Sequence, residues 1–147
     1  HFMRAVVQRV LSARVEVDGK LTGSTEKGIL VYLGVHEDDT DKDLEYICDK
    51  VPNLRIFSDS EGKMNLSLLD VKGELLAVSQ FTLYADCSHG NRPSFINAGK
   101  PELANGLYEY IIAECKKQVE VVETGEFGAD MKVALENDGP FTIVLEL

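Results

Sequence analysis

Leu75-Leu76-Ala77-Val78-Ser79-Gln80-Phe81-Thr82-Leu83-Tyr84-Ala85 is the stretch on which the reading of this chain turns. Four apolar residues open it as a buried strand, and then Ser79, Gln80 and Thr82 interrupt the pattern. A buried hydroxyl or amide without a partner costs roughly 1–3 kcal/mol. The backbone therefore either leaves the core at Ser79 or lines a pocket there. Upstream, Gly28-Ile29-Leu30-Val31-Tyr32-Leu33-Gly34-Val35 is a nearly continuous apolar run, as expected of a central strand. Ala5-Val6-Val7 through Val10-Leu11 is a further strand, and Val15-Glu16-Val17 alternates before Asp18-Gly19, a strong hairpin-turn signal.

Between and beyond these strands lie two helices. Thr40 with Asp43 forms a capping-box variant ahead of Leu44, Ile47, Cys48 and Val51 at helical spacing, with a stop near Pro52. Pro101-Glu102 suits the start of a second helix, on which Leu103, Leu107, Ile111 and Cys115 recur at i+4. Leu54-Arg55-Ile56-Phe57 and residues 118–122 read as short strands, and residues 64–71 as a loop packed by Met64, Leu66 and Leu68. Met131-Lys132-Val133-Ala134-Leu135 and Phe141-Thr142-Ile143-Val144-Leu145 read as strands around a Gly139-Pro140 turn. Many strands and two helices imply a single α+β domain with a mainly antiparallel sheet that can curl into a barrel.

Composition narrows the function classes. The 147 residues fit one domain, taken as residues 3–147, with His1-Phe2 as a remnant ahead of a native start at Met3. A formal net charge of −10 argues against a protein that coats nucleic acid through bulk electrostatics, but not against one that grips only an end. Cys48, Cys87 and Cys115 form no C-x-x-C pair or disulfide framework, which points to a reducing cytoplasm. No metal site is expected: His36-Glu37-Asp38-Asp39 reads as a solvated loop, and Cys48 as core. No apolar run approaches the ~20 residues of a membrane span.

Several chemistries use these residue types. Ser79 or Thr82 as nucleophile with His89 as base and Asp86 as orienter is one, although the G-x-S-x-G elbow is absent. Nothing flanking Cys87 activates it as a nucleophile. Alternatively, main-chain N–H groups freed where the strand ends at Phe81-Thr82 can stabilise a developing oxyanion.

The pair Ser79-Gln80-Phe81-Thr82 and Asn137-Asp138-Gly139-Pro140-Phe141-Thr142 resembles the D-aminoacyl-tRNA deacylase family, formerly D-tyrosyl-tRNA deacylase, with its Ser-Gln-x-Thr and Asn-x-Gly-Pro-x-Thr motifs in this order. Arg4-Ala5-Val6-Val7-Gln8-Arg9-Val10, Lys63-Met64-Asn65-Leu66-Ser67 and Arg92-Pro93-Ser94-Phe95 extend the likeness from Met3 along the chain. The resemblance implies a barrel-like homodimer without a cofactor. It would hydrolyse the ester of D-aminoacyl-tRNA, and also glycine mischarged on tRNA, at the tRNA 3′ end. It implies Phe81 and Thr82 amides at the scissile carbonyl, with Ser79 and Gln80 shaping the pocket and the 2′-OH of the terminal adenosine assisting water. It also implies a cis Gly139-Pro140 that enters the other subunit's site and excludes L-side chains, with Arg9 holding the Gly-Pro carbonyls. Met64, Asn65, Arg92 and Lys100 are the tRNA contacts to test. Phe141 stands where a smaller Val is common, and Cys87-Ser88-His89 where the family is often more basic. A non-catalytic module that binds an RNA end and a small-molecule esterase are the rival readings.

Overall fold

The computed structural model describes residues 3–146; His1-Phe2 and Leu147 lie outside the described residues. The chain begins with a 14-residue strand, β1 (Arg4–Val17), longer than the two separate runs expected from sequence. Asp18 and Gly19 turn it back with positive φ (50° and 78°), and β2 (Lys20–Thr25) and β3 (Gly28–Gly34) return along the same edge of β1. On the other edge of β1 runs β8 (Lys132–Glu146), antiparallel from Arg4↔Glu146 to Glu16↔Lys132. Beyond β3 come β6 (Glu74–Ser79) and β7 (Val122–Thr124), both added in parallel. The sheet is therefore mainly antiparallel, with two parallel pairs. A separate small hairpin joins β4 (Phe57–Ser58) to β5 (Met64–Leu66).

Residue alternation sorts the core into two layers. Ile29, Val31 and Leu33 on β3, with Leu75 and Ala77 on β6, face a cluster completed by helices α1 (Asp41–Asn53) and α2 (Pro101–Lys116). Leu30, Leu76 and Val78 face the opposite way and meet Val10, Ala13 and Val15. This second cluster exists because the sheet curls: a Cβ on Gly23 of β2 would lie 2.5 Å from the Thr124 carbonyl oxygen of β7. Both faces of β3 and β6 are covered, which accounts for their unbroken apolar runs.

The first helix starts as expected, with the Asp43 carboxylate accepting the Thr40 N–H at 2.8 Å, and it includes Pro52 in its last turn. The buried stripe of α2 is Ala104, Tyr108, Ile111, Ile112 and Cys115, rotated from the expected one; Leu103 is exposed. Tyr108 accounts for the rotation, since its hydroxyl donates to the Ala77 carbonyl oxygen at 2.7 Å beneath the helix. Met64 also differs from expectation: it lies on β5 and is exposed, whereas Leu68 is fully buried. The strands expected at 54–57 and 118–122 shift to Phe57–Ser58 and Val122–Thr124.

Candidate active site

The alternatives posed by Ser79 both hold. β6 stays in the sheet to Ser79, and the Gln80 N–H makes one more bond to the Leu33 carbonyl oxygen at 2.8 Å. The chain then tightens into a 3₁₀ turn, Phe81–Tyr84, in which Leu83 N–H returns to Gln80 O and Ala85 N–H to Thr82 O. The first N–H groups of such a turn have no acceptor within it, so those of Phe81 and Thr82 are released at the point where the strand ends. Gly34 makes the close approach possible. A Cβ there would lie 3.0 Å from Leu83 Cβ and 3.1 Å from the Tyr84 ring. Arg4 holds the far end of the turn: its guanidinium donates to the Leu83 carbonyl oxygen at 2.7 Å and lies 4.8 Å from the centre of the Tyr84 ring.

Ser79, Gln80 and Phe81 form one wall of a cavity of about 580 Å³. Its other walls come from the 95–101 segment, from Ala104 of α2, from Phe127, Gly128 and Ala129, and from Met131 and Val133. Lys100 is the charged residue of the lining, in which no His, Asp, Glu or Cys occurs. Thr82 is exposed beside the cavity rather than in its lining, and its hydroxyl accepts from the Gln80 amide. The side-chain triad is not assembled. The Asp86 carboxylate accepts the Ser88 N–H at 2.9 Å and its hydroxyl at 2.6 Å, which holds its pKa below the usual carboxylate range. Among the described residues no hydrogen bond joins His89 to Ser79, Thr82 or Asp86, and Cys87 and His89 are exposed outside the lining.

A second cluster gathers the C-terminal motif. Gly139-Pro140 is a cis peptide, as the resemblance implies. It is not the hairpin turn that sequence spacing indicates. Pairing with β1 stops at Val10↔Asn137 and resumes at Gln8↔Thr142, so residues 138–141 bulge from one continuous strand opposite Arg9. The Asn137 side chain closes the bulge, donating to Phe141 O at 2.9 Å and Arg9 O at 3.2 Å and accepting the Phe141 N–H at 2.7 Å. Gln8 donates to the Thr142 hydroxyl at 3.1 Å. Asn137 went unassigned in the sequence; only its place at the head of the motif marked it. Arg9 lies beneath the bulge, but the carbonyls it takes are those of Asp138 (3.0 Å) and Ile56 (2.7 Å), one on either side of it, with its guanidinium 4.5 Å from the Phe141 ring centre.

Within one chain these two clusters stay apart. Leu33, which accepts from Gln80, pairs with Ala5, four residues along β1 from Arg9, an offset along that strand of about 13 Å. Arg9, Gly139 and Pro140 do not line the cavity. Met64 and Asn65 belong to the Arg9 side, because Ile56 leads directly into β4, the partner of β5. Asn65 accepts from the Arg55 guanidinium at 2.6 Å. Of the expected tRNA contacts, Lys100 alone lies at the cavity; Arg92 is exposed in the adjoining loop, whose ends are bridged at Asp86↔Ser94. In the 36–39 loop, His36, Glu37 and Asp38 bring their ligand atoms within 4.8 Å of one another, yet His36 Nδ1 already accepts the Asp38 N–H at 3.1 Å. No helix of the described residues is long and apolar enough to cross a membrane.

Comparison with known proteins gives the family and the fold. A family model described as D-Tyr-tRNA(Tyr) deacylase matches residues 6–146. The D-aminoacyl-tRNA deacylase of Thermosipho melanesiensis is 59% identical over 145 residues, covering 98% of this chain and 97% of that protein. That of Clostridium tetani is 59% identical over 144 residues with the same coverage. Among solved structures, one described as c-Myc DNA Unwinding Element Binding Protein superposes with a TM-score of 0.93 at 43% identity, covering 98% of both chains. A probable eukaryotic D-amino acid tRNA deacylase superposes over all of both chains with a TM-score of 0.87 at 19% identity, a likeness of fold alone.

Proposed function

Because this chain belongs to the D-Tyr-tRNA(Tyr) deacylase family, we propose that it hydrolyses the ester between a D-amino acid and the 3′ end of tRNA, releasing both, as a chiral proofreading step in the cytoplasm. One observation carries the mechanism: the break after Ser79 frees the Phe81 and Thr82 N–H groups beside a cavity without a carboxylate, imidazole or thiol in its lining. Ester hydrolysis builds negative charge on the carbonyl oxygen, and preorganised main-chain donors stabilise that charge without a side-chain nucleophile. Ser79 and Gln80 shape the pocket, and the 2′-OH of the terminal adenosine assists the attacking water.

Chirality is read by a second copy of the chain. In a homodimer, Gly139-Pro140 of one subunit enters the cavity of the other and blocks the space that an L-side chain needs. The distance between the two clusters within one chain supports this arrangement, since neither is a complete site alone. Arg9 and Asn137 brace the wedge from beneath. Its contact surface is backbone, so D-side chains of many kinds pass, and so does glycine, which has no side chain to exclude. Met64 and Asn65, on the Arg9 side, and Lys100 and Arg92, on the cavity side, contact the tRNA end.

The test is release of free amino acid from D-tyrosyl-tRNA and L-tyrosyl-tRNA by catalytic amounts of protein. Loss of the D-ester with the L-ester spared is expected. Equal loss of both removes the chirality filter, and binding without turnover leaves a non-catalytic module. Thr82→Ala is expected to retain part of the activity, which a hydroxyl nucleophile would not allow.

A further inference from the structure

We propose that the apolar rim beside the cavity, formed by Phe81, Phe95 and Ile96, is a stacking platform for the unpaired nucleobase that precedes the terminal adenosine, with Lys100 taking the phosphate between the two. The inference rests on the deacylase reading and adds to it a site for a second nucleotide. Phe81 and Phe95 both border the cavity and meet edge to face, with ring centres 5.0 Å apart. Phe81 is 55% exposed, Phe95 36% and Ile96, just outside the lining, 76%. Two exposed aromatic rings at one opening, with exposed Ile96 next along the chain, are an unusual use of surface for a chain of this acidity, and such patches mark interaction sites.

The chemistry of the rim selects its occupant. Single-stranded RNA ends are held by aromatic faces under the bases and by cations along the backbone. On a chain of net charge −10, the cavity carries Lys100 and no carboxylate. That is the balance expected for one phosphate at the mouth, and it explains how an acidic protein tolerates an RNA end without a basic surface. A substrate whose terminal nucleoside enters the cavity must carry its preceding nucleotide out across this rim.

The experiment compares KM for three D-tyrosyl esters: of adenosine, of a trinucleotide with the tRNA 3′ sequence, and of whole tRNA. For the unaltered protein the trinucleotide is expected to have the lower KM relative to adenosine, and whole tRNA to add little more. In Ile96→Ser and Phe95→Ser that advantage is expected to shrink about tenfold, the usual worth of one stacked base, while Phe95→Trp retains it. In Lys100→Met, the slope of log affinity against log salt should fall by about 0.7, the release from one single-stranded phosphate. Equal KM for adenosine and trinucleotide esters in the unaltered protein overturns the platform, as does an advantage unchanged in both rim variants. Separation of associated copies by Ile96→Ser in sedimentation also overturns it, because the rim is then a subunit contact. Failure to cleave any D-ester is a different result, which defeats the deacylase reading itself.

Discussion

The dipeptide Asp-Gly occurs at residues 18–19 and again at 138–139, and the chain does opposite things at the two places. Asp18 and Gly19 both take positive φ, and the strands on either side reverse and pair from Val17↔Lys20 onward. At Asp138-Gly139 neither residue has positive φ, and the strand continues in its original direction after bulging away from β1. At the first turn, a Cβ added at Gly19 would find nothing within 4 Å. The second is held by Asn137 and by Arg9, 129 positions away from Asp138. A reversal needs only the conformational freedom of two residues, whereas an in-strand bulge needs partners that pay for the ladder bonds it gives up.

That contrast can be broken most forcefully at Arg9. Arg9→Met leaves the Asp138 and Ile56 carbonyls without their charged donor and should cost about 3 kcal/mol, read by urea denaturation. Discrimination between D- and L-tyrosyl-tRNA should fall at least tenfold. If both quantities hold, the bulge is specified locally after all. Asn137→Ala removes the caps on Phe141 N–H and C=O and should cost about 2 kcal/mol, with the same loss of discrimination but intact hydrolysis of the D-ester. Gly34→Ala brings a methyl to about 3 Å from Leu83 and Tyr84. Overpacking of this kind costs roughly 1–3 kcal/mol; here about 1.5 is expected, with D-ester turnover lowered about tenfold as the 3₁₀ turn moves. Gly19→Ala sharpens the comparison from the other side. It should cost about 1 kcal/mol through its positive φ alone and leave both turnover and discrimination as they were; a change in either would mean that the hairpin is coupled to the site.

Much of the fold was legible because it follows from short-range rules. The buried runs at 28–35 and 75–78, the Asp18-Gly19 reversal and the Thr40–Asp43 start of α1 all emerged where the residues placed them. The errors have a common form. On α2 the i+4 series through Leu103 and Leu107 gave a stripe, but the buried one is set by Tyr108 reaching Ala77. At 139–140, Gly-Pro between two apolar runs looked like a hairpin, because nothing nearby in sequence says that both runs pair with the same neighbour. In the candidate site, Ser79, Gln80 and Phe81 came together as neighbours in sequence would and Lys100 reached the cavity as a cation singled out in advance, whereas the walls contributed by Phe127 and Met131 did not announce themselves.

What the sequence by itself determined is the central buried strands, the Asp18-Gly19 reversal, the two helices, the break after Ser79 and, through two short motifs, the family. Each depends on periodicity, on the cost of burying a lone polar group or on residue identity, and none of these needs a folded partner. The tertiary structure decided which carbonyls Arg9 holds, that Asn137 closes the bulge, and that the two motifs are offset by about 13 Å along β1 within one chain. Those outcomes depend on which strands lie side by side once β1 has β3 on one edge and β8 on the other, and on side-chain hydrogen bonds that act over about 3 Å between residues more than a hundred positions apart.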